Sequence, residues 1–410
     1  MLYSKFYYHE EKMIRRQDGF TMVELIVTMA IFVITIAAVS AIFVPLLNQF
    51  KQQSKIAETN IEGMVGLEIL RHDIEHAGFG LPWVLQPGLT IASYSEASAA
   101  TTAPIPAPSK YNDGGSLPLN PPRAILSDDN VLNGSDYLVI KSTAVGINDA
   151  AGKYTDVIGT GGGGTTVKSW GNLADDLNTN DRTIVLILSR GENNQRILVN
   201  NVAAYTAPFA GGINNFPAEY SPSTAGDLFL IYGVSNDTTL ANLRMPFNRA
   251  DYYITRVAGP TIPIPARCAK GTTSARDTGI LMKSVIEHAS GNRGNGIPLL
   301  DCVADFQVAF DLDTTSPPDG IIEAHGTEDI SGLTAQQIRE QVKTVRVYIL
   351  AHEGQKDINF TYANTGVCVG EVTATGCTPG HIYDLTAITD YARYRWRVYT
   401  LVVQTKNLRN

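Results

Sequence analysis

The sequence predicts an α+β fold: a long N-terminal stem helix packed on a mostly antiparallel β head domain with a large inserted lobe. Three observations predict it. Leu25–Leu47 contains no charged residue, Asn48–Ala77 keeps helical spacing without a turn cluster, and nine strand-like runs follow.

At about 1.5 Å per residue, Leu25–Leu47 makes roughly 35 Å of helix, enough to cross a hydrocarbon core of about 30 Å. The membrane-spanning part is expected over about 24–47 and an amphipathic part over about 48–78. In the latter, Phe50, Ala57, Ile61, Met64, Leu67, Leu70, Ile74 and Ala77 recur every three to four residues, a face made to pack on a globular domain. Pro45 removes one backbone hydrogen bond, and Gly63 and Gly66 either weaken the helix or admit a close neighbour. The helix ends at Ala77-Gly78-Phe79-Gly80-Leu81-Pro82, with Gly at its C-terminal side and Pro just beyond.

The strand-like runs are Asp136–Ile147, Arg182–Arg190, Gln195–Tyr205, Asp227–Val234, Asp251–Val257, Ile280–His288, Ala304–Leu312, Lys343–His352 and Tyr394–Val403. A second helix is expected at Thr334–Gln341, where Thr334 and Gln337 have capping-box spacing. Ala92–Lys110, Gly159–Gly164 and Ala207–Gly226 are rich in Gly, Pro, Ser, Thr and Ala and read as surface loops. These features divide the chain into a leader over 1–19, a stem over 20–80, an inserted β lobe over 81–280 and a β head over 281–410. No repeat at solenoid or propeller spacing is present.

Hydrophobic residues make up 44% of the chain and charged residues 18%, ordinary for a folded domain. The net charge of −8 argues against general affinity for nucleic-acid phosphates. Enzyme motifs are lacking. The glycine run before Lys168-Ser169 has no glycine directly preceding the lysine, no Gly-x-Ser-x-Gly elbow occurs, and no metal-spaced histidine pair is evident, with His288, His325, His352 and His381 read as structural.

Cys268, Cys302, Cys368 and Cys377 all lie beyond the apolar segment, on the side facing an oxidising compartment if the leader stays in the cytoplasm, so disulfides outrank metal binding. Three pairings exist. Favoured are Cys368–Cys377, the pair closest in sequence, and Cys268–Cys302. Asp311, Asp313, Asp319 and Glu323 around Gly320 are candidate calcium ligands, since alternate carboxylates before a turn glycine converge oxygens on a hard cation. Thr314–Pro318 interrupts the compact spacing, and a solvated hairpin is the competing reading. Arg393, Arg395 and Arg397 alternate with Tyr394, Trp396 and Val398, which suits either a cation-and-aromatic strip for single-stranded DNA or the polar face of a half-buried strand; the acidic whole favours the strand.

The start of the chain is the most specific feature. Gly19-Phe20-Thr21-Met22-Val23-Glu24 opens directly into the apolar helix, and Glu24 is a carboxylate just inside it, costly to bury unless paired or protonated. A secretory signal would lose its apolar stretch on cleavage; here the plausible processing point precedes it. The junction resembles the class III signal of type IV pilins and pseudopilins. That resemblance implies cutting by prepilin peptidase between Gly19 and Phe20, N-methylation of Phe20, and pairing of Glu24 with the Phe20 amine of its own or a neighbouring subunit. The leader carries Lys5, Lys12, Arg15 and Arg16 against Glu10, Glu11 and Asp18, a slight excess that holds it inside.

Leu70-Arg71-His72-Asp73-Ile74-Glu75-His76-Ala77-Gly78-Phe79-Gly80, Leu300–Val308, the acidic turn and the segment from Arg395 to Asn410 are similar to elements of PilW-type minor pilins. The resemblance covers both ends and leaves about Trp83–Gly279 uncovered. It implies a type IV pilin-like fold and a non-enzymatic, cofactor-free subunit. Such a subunit is inserted once in the inner membrane with its head in the periplasm, then joins other minor pilins and the major pilin at the pilus tip, with a tip adhesin as a further partner. A J-type minor pseudopilin of a type II secretion system, or an adhesin or DNA-uptake pilin, are the alternatives.

Overall fold

The computed structural model describes residues 19–85, 94–99, 105–113, 120–161, 164–172, 174–188, 195–200, 204–209, 220–240, 242–257, 262–374 and 376–408. The leader up to residue 18 and parts of the three expected loops lie outside these. Two compact units, Met1–Ser54 and Lys55–Asn410, make up the chain, and one helix, α1 (Met22–Glu75, 54 residues), starts in the first and ends in the second.

In the first unit α1 is long and apolar enough to cross a membrane. Its large side chains, Phe32, Ile34, Val39 and Ile42 among them, are exposed. The helix runs through Pro45. The Thr28 hydroxyl donates to the Glu24 carbonyl at 2.9 Å and the Thr35 hydroxyl to the Ile31 carbonyl at 2.6 Å, so both donors are satisfied within the helix.

The second unit contains two large sheets and a hairpin. Its strands are β1 (Val84–Leu85), β2 (Ile125–Leu132), β3 (Ser135–Ser142), β4 (Tyr154–Gly161), β5 (Gly164–Val167), β6 (Arg182–Leu188), β7 (Arg196–Leu198), β8 (Ala207–Pro208), β9 (Leu228–Ser235), β10 (Asn248–Thr255), β11 (Gly279–Val285), β12 (Ile297–Leu312), β13 (Ala324–Thr327), β14 (Val342–Glu353), β15 (Gly366–Thr373), β16 (Gly376–Asp384) and β17 (Arg395–Gln404). An eight-stranded sheet has the order β17-β14-β12-β11-β10-β3-β2, with β13 on β12, and every pairing in it is antiparallel. A seven-stranded sheet has the order β1-β7-β6-β9-β4-β5, with β8 on β6; its β1–β7 pair is parallel. β15 and β16 form a separate antiparallel hairpin. Each of the nine expected runs overlaps a strand, Gln195–Tyr205 over only the three residues of β7. The expected second helix is α2 (Ala335–Gln341), capped by the Thr334–Gln337 box.

The boundary expected at residue 280 does not separate the sheets. β2, β3 and β10 precede it, yet β10 pairs with β11 from Ala250–Val285 to Thr255–Ile280. Residues 154–235, leaving the large sheet after β3 and returning at β10, supply all of the second sheet but β1. Loop composition marks where the chain turns, whereas sheet membership depends on pairing between distant segments.

The main core lies where α1 meets both sheets. Leu70, Ile74 and Ala77 are fully buried with Leu138 and Ile140 of β3, Ile184 and Leu186 of β6, and Phe306 and Val308 of β12. Each such aliphatic side chain contributes about 1.5–3 kcal/mol of transfer free energy. The helix glycines admit the close neighbour. A Cβ on Gly66 would stand 1.7 Å from the Leu299 carbonyl oxygen, and one on Gly63 would stand 2.9 Å from Leu300 Cδ1.

Candidate functional site

The N-terminal edge of α1 is built by Thr21 and Glu24. The Thr21 backbone N–H and hydroxyl both donate to Glu24 Oε2 at 3.1 Å, and the Glu24 N–H donates to Thr21 Oγ1 at 3.2 Å. This is a capping box, and it places a carboxylate at the positive end of the helix dipole. The cap explains locally why a carboxylate stands where the apolar segment begins. Its Thr-x-x-Glu spacing was legible in the sequence, overlaid on the Gly-Phe-Thr-x-x-Glu motif. Ahead of it Phe20 is 85% exposed, and among the described residues nothing lies within 4 Å of a Cβ built on Gly19.

At its other end α1 is fastened to the head by charge. Asp73, 3% exposed, accepts from the Tyr252 hydroxyl and the Lys283 ammonium, each at 2.6 Å. Burial pushes the Tyr252 phenol far up, and the Asp73 carboxylate beside it pushes the same way, so the phenol stays a donor. The segment after β17 closes the helix end. Lys406 N–H donates to the Glu75 carbonyl at 3.0 Å, its ammonium reaches Glu75 Oε2 at 2.6 Å, and Leu408 is buried against Gly78. A carbonyl left over at the helix C-terminus thereby gains a donor, and Gly78, at φ +81°, permits the turn.

Both favoured disulfides are present. Cys268–Cys302 joins the segment before β11 to β12 with Cα atoms 4.7 Å apart, and Cys368–Cys377 closes the β15–β16 hairpin at 5.5 Å.

Of the four acidic-turn residues, Asp313, Asp319 and Glu323 converge, each offering an oxygen within 4.8 Å of the others. Asp311 does not join them. Its carboxylate accepts from Arg346 Nε at 2.8 Å and Nη2 at 2.8 Å across β12 and β14. Asp313 is buried and already served by protein donors: Thr315 Oγ1 and the Gly320 N–H, each at 2.7 Å. Burial raises its pKa, and those two bonds with the nearby Lys343 ammonium overcome it, leaving the group below the usual carboxylate range.

The arginine strip is already partnered. Arg393 donates to the Ile358 and Phe360 carbonyls, Arg395 to Asp357 at 2.8 Å and Arg397 to Glu353 at 2.8 Å. The cations needed for a strand of phosphates are neutralised or hydrogen-bonded within the chain, which favours the structural reading. His288 and His352 are structural as expected, with burial pushing them down to about 4 and about 3. Sequence reading overlooked His72 and His76. Their H-x-x-x-H spacing puts them on one face at the end of α1, His76 just past Glu75, with ring centroids 4.2 Å apart.

A family model described as the prokaryotic N-terminal methylation motif matches residues 14–40. No curated protein and no solved structure matches the chain. The motif implies processing by prepilin peptidase and assembly with pilus components, and it suggests a structural protein rather than an enzyme. The apolar helix that it opens fits membrane anchoring before assembly. Motif and helix together make the N-terminal segment similar to a type IV prepilin-like signal.

Proposed function

We propose that the chain is a PilW-type minor pilin, a non-enzymatic subunit that waits in the inner membrane with its head in the periplasm and then primes or caps a type IV pilus at its tip. In this reading prepilin peptidase cuts between Gly19 and Phe20 and methylates Phe20. Glu24 sets helix register against a neighbour's Phe20 amine, a pair worth up to about 4 kcal/mol of gross Coulomb attraction at an effective dielectric near 20. Other minor pilins and the major pilin are the partners, with an adhesin at the tip.

The single observation that carries the proposal is the Gly-Phe-Thr-x-x-Glu junction continuous with a helix whose last turns bury Leu67, Leu70 and Ile74 in the core of a large head, while Phe50, Ile61 and Met64 before them stay exposed. Intact mass of the N-terminal peptide from the membrane-extracted protein is the first test: a start at methylated Phe20 is expected, and a retained leader in assembled material defeats it. Co-purification then separates a pilus subunit from a secretion subunit. Capture of minor pilins is expected, and capture of secretion pseudopilins alone would reassign the chain to a J-type role. No resident cation is included. Millimolar calcium is expected to leave the melting temperature unchanged, and a rise abolished by Asp319→Asn would restore calcium at the acidic turn.

A further inference from the structure

His72 lies in the last turn of α1 and His76 four residues on, just past its end, His72 exposed and His76 half-buried. Their rings face each other at 4.2 Å with 27° between planes. His76 Nδ1 lies 2.8 Å from the His72 carbonyl oxygen, which also accepts the His76 backbone N–H at 3.1 Å. A carbonyl cannot donate, so Nδ1 of His76 carries the hydrogen, and the neutral ring keeps its lone pair on Nε2. His72 Nδ1 faces the Asp73 carboxylate at 3.7 Å, which leaves Nε2 as the lone-pair nitrogen of that ring when neutral. An imidazole whose Nδ1 faces a carbonyl or carboxylate is the usual arrangement behind a metal-ligating histidine. Two histidines at i and i+4 share one helical face; stacked as they are here, their in-plane Nε2 lone pairs run side by side, and a rotation of the exposed His72 ring brings them onto one ion.

We propose that His72 and His76 chelate a divalent transition metal of the zinc and copper class through their Nε2 atoms, with the remaining coordination positions filled by water. The site binds metal rather than hydrolysing anything. In a His-acid-x-x-His protease the acidic residue serves as base, but here Asp73 is turned into the head and held by Lys283 and Tyr252. The remaining acid of the turn, Glu75, is tied to Lys406 and Arg71. Imidazole nitrogens without thiolates suit Zn2+ and Cu2+ rather than the hard cations expected of carboxylate oxygens.

The test uses the untagged full-length chain in detergent micelles, with Zn2+ titrated calorimetrically and Cu2+ read by electron paramagnetic resonance. One Zn2+ per chain and a Cu2+ spectrum showing two equivalent imidazole nitrogens are expected. His72→Gln, at an exposed position, should weaken Zn2+ binding by more than about tenfold and remove one nitrogen from the spectrum. His76→Gln should do the same, with unchanged thermal melting as the check that loss of its helix bond has not unfolded the turn. Asp319→Asn with Glu323→Gln, at the separate acidic turn, should change neither reading. Unaltered Zn2+ affinity in His72→Gln, transfer of the loss to the acidic-turn variant, or a Cu2+ spectrum without imidazole coupling overturns the proposal.

Discussion

The two halves of α1 handle polar groups in different ways. In the first unit, the described polar contacts turn back on the helix: Thr21 and Glu24 cap each other, and Thr28 and Thr35 donate to carbonyls four residues earlier. In the second unit the helix keeps such internal contacts, Thr59 to the Lys55 carbonyl and Arg71 to Glu68 among them, and also reaches outward. Glu62 meets Arg267 at 3.3 Å, Asp73 meets Lys283, and Glu75 meets Lys406. A helix that satisfies its own donors suits an environment offering none, while one whose charges are satisfied by distant residues is specified by a particular head. One continuous helix is thus generic at its start and specific at its end.

The sharpest break is expected at Asp73. Asp73→Ala leaves the Lys283 ammonium buried and unpaired and removes the acceptor of Tyr252, so the head should lose about 3–5 kcal/mol in urea unfolding. Asp73→Leu with Lys283→Met and Tyr252→Phe removes both charges and the stranded hydroxyl and should recover most of that loss, because no buried polar group is left unpaired. If Asp73→Ala melts like the wild type, the helix is held by its apolar face alone and the contrast fails at its specific end.

Gly66 and Gly63 test the same end by shape. Alanine favours a helix by about 0.8–1.0 kcal/mol over glycine, so in an isolated stem both substitutions would stabilise. Against the head the signs diverge. At Gly66 the new Cβ meets the Leu299 backbone at 1.7 Å, and the overpacking should cost about 1–3 kcal/mol. At Gly63 it meets the end of the Leu300 side chain at 2.9 Å, which can rotate, so Gly63→Ala should stay within about 1 kcal/mol of wild type. Equal effects at the two positions in thermal melts would show that the helix does not seat as closely as these distances require.

How much of this was legible depends on whether the cause was local. The apolar span, the Thr334 cap and alternating runs such as β6 and β14 are written in neighbouring residues. β15 and β16 were missed because Gly366-Val367-Cys368-Val369-Gly370 and Gly376–Gly380 carry glycines and a proline that weaken any strand signal. Arg249 and Lys141, charged residues within strands, are fully buried; Glu96 is shared between them, and Asp251 and Asp113 complete the network. Glu96 and Asp113 come to them from loops, which no periodicity could announce. Asp73 was visible within a resembling motif, but its partner Lys283 lies 210 positions on. Asp311 looked like a cation ligand until Arg346, on the neighbouring strand, claimed its carboxylate.

The smallest effect on stability and the most informative one on function are expected at Glu24. Two roles compete for it: a local cap, and a charge offered to a neighbour's Phe20 amine. Alanine removes both, so Glu24→Ala alone cannot separate them. Glutamine can. A capping box accepts Gln at this position as well as Glu, so Glu24→Gln keeps the Thr21 bonds while deleting the charge. The loss of dipole interaction is about 0.3–1 kcal/mol. If the charge sets assembly, Glu24→Gln and Glu24→Ala should both be processed and membrane-inserted yet fail to co-purify with minor pilins, with fewer surface pili. If the cap is the whole role, Glu24→Gln should assemble like wild type and Glu24→Ala alone should fall short. Pull-downs and pilus counts on the same strains decide between these outcomes, and full assembly by Glu24→Gln would leave this helix end as self-contained in function as it is in its hydrogen bonds.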